Sequence, residues 1–220
     1  MVRNAGMVRK IGLSAVIGGL ALGAGVASAA DFDVTAEVQN TLAVTVVTPM
    51  NLGTLFVNDL STGTGIGTLV LAPGGGITEG ETGQVIKSLG GATPARASVA
   101  TDQPFTVKVP TATLTAASWA AADDVTGITD VVEMRLGGAG GNPSVARLYL
   151  ANFTVGDITG GTDTSSPAAA AGDPVDITPD FGVTDVSFGI GAEIFTDDSG
   201  TRTQYQAGTY EGTFAVTAEF

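Results

Sequence analysis

Tyr210-Glu211-Gly212-Thr213-Phe214-Ala215-Val216-Thr217-Ala218-Glu219-Phe220 is the stretch whose reading decides the fold. Tyr210, Phe214, Val216, Ala218 and Phe220 share one parity, and Glu211, Thr213, Thr217 and Glu219 share the other. A period of two is that of a half-buried strand, because successive side chains of a pleated chain point to opposite faces. The alternation recurs upstream. Phe32, Val34, Ala36 and Val38 keep one parity, which Leu42, Val44 and Val46 continue. Further runs are Phe105, Val107, Val109; Val132, Met134, Leu136; Tyr149, Ala151, Phe153, Val155; and Val186, Phe188, Ile190. Val and Thr, which suit a pleated half-buried surface, dominate these runs.

Turn clusters separate them at residues 61–67, 72–76, 137–143, 160–173 and 197–200. Residues 160–174 read as a long surface loop, and residues 113–123 are Ala-rich enough for one short helix. Many short strands joined by Gly-rich turns predict an all-β, antiparallel sandwich or barrel.

Composition excludes much chemistry. The 220 residues contain no Cys and no His, so disulfides, thiol nucleophiles, His-based triads and Cys/His metal sites are absent. With 22 acids against 9 bases the formal charge is −13, opposite to what nucleic-acid binding needs. At 44% apolar and 14% charged the chain is too hydrophobic for bulk disorder.

Residues 1–29 read as a signal peptide. Arg3, Arg9 and Lys10 form a positive start, residues 11–26 are apolar, and Ala27-Ser28-Ala29 supplies small residues at a cleavage site. The apolar stretch falls short of the roughly 20 residues a span needs, so no stable membrane anchor is expected. Met-Val-Arg occurs at both Met1 and Met7, leaving two candidate start codons. Loss of the three leader bases takes the charge from −13 to −16. A single exported domain over residues 30–220 is expected, periplasmic, on the cell surface or extracellular.

Three passages together resemble the domain-of-unknown-function 4402 family of exported bacterial proteins, and more distantly spore-coat-U-type and chaperone–usher pilin subunits. They are Pro49-Met50-Asn51-Leu52-Gly53-Thr54-Leu55 closing the opening strand, Gly91-Ala92-Thr93-Pro94-Ala95-Arg96 before the run at Phe105, and Tyr205-Gln206-Ala207-Gly208-Thr209-Tyr210-Glu211-Gly212-Thr213 after the run at Val186. The resemblance implies an immunoglobulin-like (pilin-like) β-sandwich and no catalytic activity. The chain departs from related pilins in having no disulfide.

Candidate chemistry is sparse. Asp123-Asp124 and Asp197-Asp198 are paired acids, and Asp173, Asp176 and Asp180 lie along one segment. Acidic turns supply oxygen ligands for Ca²⁺, but no Asp-x-Asp-x-Asp-Gly loop ending in Glu is present, so solvated turn acids and no metal are expected. Glycoside hydrolysis also uses paired carboxylates, yet Trp119 is the only Trp and reads as a packing anchor. Gly74-Gly75-Gly76 and Gly189-Ile190-Gly191 lack a phosphate-loop context and read as turn and strand-bend glycines. Lys87 and Lys108, the only lysines after the leader, stand in no Ser-x-x-Lys pattern. Asn152-Phe153-Thr154 matches a glycosylation sequon, but Phe153 shares core parity, so the match is read as chance. No catalytic residue and no cofactor are expected.

Three functional classes follow: a structural or adhesive surface subunit of fimbrial type, a soluble periplasmic binding module, or a small outer-membrane barrel. The four Tyr and Trp are too few for two aromatic girdles, which counts against the barrel. The alternation from Phe32 to Val46 amounts to about 50 Å of strand, against a usual 17–20 Å. Either two strands share it, or one strand bends at Asn40 and crosses between sheets, or residues 31–39 complete a neighbour's sheet. In the last case Phe32, Val34, Ala36 and Val38 form the subunit-contact strand and the partner is a second copy.

Overall fold

A computed structural model describes residues 41–58, 66–80, 86–121, 129–197 and 202–220. The leader and the candidate contact residues Phe32, Val34, Ala36 and Val38 lie outside the described residues, as do Asp123, Asp124 and Asp198. In chain order the strands are β1 (Thr41–Leu42), β2 (Val44–Thr48), β3 (Leu55–Val57), β4 (Thr68–Leu71), β5 (Ile77–Gly80), β6 (Ile86–Ser88), β7 (Ala95–Val99) and β8 (Phe105–Lys108). A short helix, α1 (Ala116–Ala121), precedes β9 (Val132–Leu136), β10 (Leu148–Thr159), β11 (Gly161–Asp163), β12 (Val175–Pro179), β13 (Val186–Thr196), β14 (Tyr210–Glu211) and β15 (Thr217–Glu219).

All strand pairs are antiparallel, at 48% strand against 5% helix, so the chain is an all-β sandwich as the alternation predicts. The smaller sheet runs β1-β15-β8-β12-β11. The larger runs β14-β9-β10-β13, and the far edge of β13 is then divided. Val186–Ile190 pairs with β7, which pairs with β2, whereas Ala192–Phe195 pairs with β4, which pairs with β5. Gly189 and Gly191 sit at this change of partner. A Cβ there would lie 2.3 Å from the Pro73 carbonyl oxygen and 2.2 Å from that of Leu71, so only glycine lets the crossing chain pass. β3 and β6 form a separate two-stranded ribbon.

Between the sheets Phe105, Val107, Val175, Ile177 and Ala218 of the smaller one meet Leu69, Leu71, Ala97, Val99, Phe153, Phe188 and Ile194 of the larger. Each of the large side chains contributes about 1.5–3 kcal/mol on burial. The runs at Phe105 and Val186 are therefore inward as their parity predicts.

The run Tyr149, Ala151, Phe153, Val155 is not on one face. Asn152 adopts φ 52 and the β10–β13 register shifts between Ala151 and Thr154, which inverts the parity. Leu148, Leu150 and Phe153 face the inter-sheet core, while Tyr149 and Ala151 face outward into a second cluster. There α1 lays Trp119 over Tyr149 at 4.5 Å and Phe195 at 6.3 Å between ring centres, and Trp119 Nε1 donates to the Thr196 carbonyl at 2.8 Å. Thr115 starts the helix by accepting from Ser118 N at 3.1 Å, while Thr115 N donates to Ser118 Oγ at 2.8 Å.

Two further expectations are corrected. The C-terminal run is not one strand: β14 pairs with β9 in the larger sheet, residues 212–216 cross over, and β15 pairs with β8 in the smaller. Phe220 is 57% exposed rather than inward. A Cβ on Gly212 would lie 2.7 Å from the Glu133 carbonyl oxygen, so the chain leaves β9 where glycine permits a close approach. Residues 160–174 are also not loop throughout, because β11 pairs with β12.

Candidate interaction cleft

A cleft of about 1260 Å³ lies against the inner face of the larger sheet, and among the described residues none of the smaller sheet's strands lines it. Its floor is Ala95, Ala97, Met134, Leu148, Leu150 and Ile190, contributed by β7, β9, β10 and β13. One wall is the chain from Val44 to Val57, and the other is the C-terminal segment carrying Tyr205, Tyr210, Phe214 and Val216.

Local sequence explains both walls. The chain crosses from the smaller sheet at Leu42 to the larger at Val44, so a bend falls at Ala43; Asn40, where the alternation allows a bend, lies outside the described residues. The crossing vacates the place beside residues 213–216, which belong to no strand. Leu42 and Val44 pack on the core as expected, but Val46, which lines the cleft, is 71% exposed, and Phe56 on the same wall is 52% exposed. At the foot of this wall Gly53 (φ 69) lies against residues 90–92 so closely that a Cβ would meet the Gly90 carbonyl oxygen at 2.3 Å.

A buried polar clasp holds the opposite wall. Asp197 is 1% exposed and accepts from Arg202 Nη1 at 2.8 Å and from the Arg147 amide at 2.8 Å. The Tyr205 hydroxyl accepts from the Asp197 amide at 2.7 Å and donates to the Arg147 carbonyl at 2.8 Å. Arg202 also donates to the Tyr149 hydroxyl, and Arg147 pairs with Glu133. Burial raises the Tyr205 phenol well above its ordinary value of 10.0, with the nearby Asp197 charge adding to the effect; burial raises Tyr210 as well. Asp197 is thus a buried structural carboxylate and not the solvated turn acid that its sequence context predicts.

The other candidates are dispersed. Asp173 accepts from the Ala170 amide at 3.0 Å, and Asp176 accepts from Thr106 Oγ1 at 2.7 Å. Among the described residues no three acids gather as a metal-binding group. Trp119 is a packing anchor, 3% exposed. Asn152 spends its side chain on Leu114, accepting from N and donating to O at 2.7 Å each. Lys87 lies 4.0 Å from Glu79, and Lys108 pairs with Glu219. Gly74–76 turn β4 into β5.

Among the described residues, the only charged ones lining the cleft are Arg96, ion-paired with Asp157, and Glu211. Its chemistry is burial of apolar side chains beside unstranded backbone. Sequence reasoning missed the site because its floor residues read simply as core. No family model, curated protein or solved structure matches the chain, so the family resemblance rests on the quoted motifs alone.

Proposed function

We propose that this is a non-enzymatic, exported structural or adhesive cell-surface protein of fimbrial type, whose copies join by strand addition. Residues 31–39 of one copy lie in the cleft of the next, with Phe32, Val34, Ala36 and Val38 turned toward its floor. The leader-like start supports export. The observation that carries the reading is the cleft itself, an apolar groove beside backbone that belongs to no strand.

Two features favour an extended peptide from another copy. The volume, about 1260 Å³, exceeds the roughly 300–1,000 Å³ usual for small-molecule pockets. β1 also runs antiparallel to β15, with Thr41 opposite Glu219. The N-terminal side of Thr41 therefore points along β15 toward Phe220 and away from Phe214 and Val216. The described backbone at Thr41 thus heads away from this wall of the cleft, and in this reading the inserted strand comes from a neighbour. Main-chain pairing then provides affinity and the alternate side chains provide specificity.

The test is the mass distribution, by light scattering, of protein purified from the secreting host. Extended assemblies are expected for the parent and their loss for Val34→Asp. A parent that is strictly monomeric at high concentration, or a Val34→Asp variant that assembles as well as the parent, overturns the reading.

A further inference from the structure

The sheet edges are not treated alike. β5 carries Glu79, β11 carries Asp163 and β14 carries Glu211, each an acid that discourages edge-to-edge pairing. β1 and β2 carry none. No residue between Glu37 and Asp59 is charged, in a chain of net charge −13. Like-charged copies repel one another over most of their surface, and this rim is where the repulsion lapses. Among the described residues β2 pairs with β7 alone.

β2 reads Val-Thr-Val-Val-Thr. Turned about a two-fold axis at Val46 it places Val46 opposite Val46, Thr45 opposite Val47 and Val44 opposite Thr48. All are β-branched pairs that suit neighbouring strands. A two-fold contact requires such self-complementarity. The register shift between Val46 and Thr48 turns Val47 outward beside Val46, at 58% and 71% exposure. By symmetry the same bulge interrupts the pairing on both sides of the axis, so the contact is small.

We propose that this uncharged rim is a second self-association surface, on which β2 of one copy docks against β2 of another. It borders the cleft, which Val44, Val46 and Thr48 line while Thr45 and Val47 do not, and it does not rest on the strand-addition reading. Where subunits also join end to end, β2 docking pairs the resulting fibres side by side. An interface this small is transient, so dimers are expected on the order of 0.1–1 mM protein.

Sedimentation equilibrium on the full-length expressed protein tests this. The Val34→Asp background removes end-to-end joining, and there the average mass should rise toward twice the monomer with concentration. Adding Val47→Lys should hold it at the monomer mass, because each lysine then stands opposite Thr45 of the other copy and diagonal to its own symmetry mate, where like charges repel. Val47 is exposed, so the added lysine leaves the fold intact, which circular dichroism verifies. A Val34→Asp protein that stays monomeric throughout, or a dimer that persists in Val34→Asp/Val47→Lys, overturns the proposal. The effect of Val34→Asp on longer assemblies reports separately on the cleft.

Discussion

Replacing Asp197 by alanine is expected to destabilise the protein by about 3–5 kcal/mol. The figure follows from what the carboxylate holds. It faces the Arg202 guanidinium, whose side chain is 9% exposed, and caps the Arg147 amide at 2.8 Å. Leaving that amide without its acceptor costs about 1–3 kcal/mol, and the remainder comes from a buried cation deprived of its carboxylate. At about 2–4 °C per kcal/mol for a domain of this size, the melting midpoint falls by roughly 6–20 °C. The companion variant Asp197→Ala/Arg202→Met removes both charges. It should recover much of the loss, because the attraction within a buried pair is largely offset by desolvation. Urea unfolding, followed by far-UV circular dichroism and Trp119 fluorescence, gives both values if the slope is unchanged. A loss below about 1 kcal/mol for the single variant, or a double variant no more stable than the single, refutes the clasp.

Alkali should act through the same cluster. An unfolded Tyr205 releases its proton near its ordinary 10.0 and the folded one only well above it. Stability is therefore level below about pH 10 and falls as the pH rises past it, seen as lower urea midpoints and a 295 nm phenolate signal that grows with unfolding. Asn152→Ala should cost about 1–3 kcal/mol by orphaning the Leu114 amide and carbonyl, with a red shift of Trp119 emission as the outer cluster loosens. EDTA and added CaCl₂ should leave the melting midpoint unchanged, measured by scanning fluorimetry; a shift of several degrees shows a bound ion instead.

The β character was legible because strand parity is local: Phe105, Val107 and Val186, Phe188, Ile190 are inward as the two-residue period demands. What was not legible depends on single residues that break that period. Asn152, at φ 52, moves Phe153 to the opposite face from Tyr149. A trace of this was visible, since Leu148-Tyr149-Leu150-Ala151 is apolar at every position, as a strand covered on both faces must be. Gly212 likewise marked the break in the C-terminal run. The clasp left no such trace, because Asp197 sits in an acidic turn sequence and its partners at Arg147, Arg202 and Tyr205 meet only through the fold. The cleft was hidden for a different reason: alternation tells which side chains face inward and not whether anything lies opposite them.

Four times, among the described residues, the chain leaves one sheet and joins the other with at most five residues between the strands. It does so from Leu42 to Val44, from Val99 to Phe105, from Thr159 through Gly160 (φ 81) to Gly161, and from Glu211 to Thr217. These crossings are stitches. In a sandwich whose layers touch only through side chains, shear is resisted by packing alone and the layers slide once it yields. Here sliding must also stretch covalent backbone at each stitch. Load entering the smaller sheet at β1 and β15 is handed to the larger through peptide bonds.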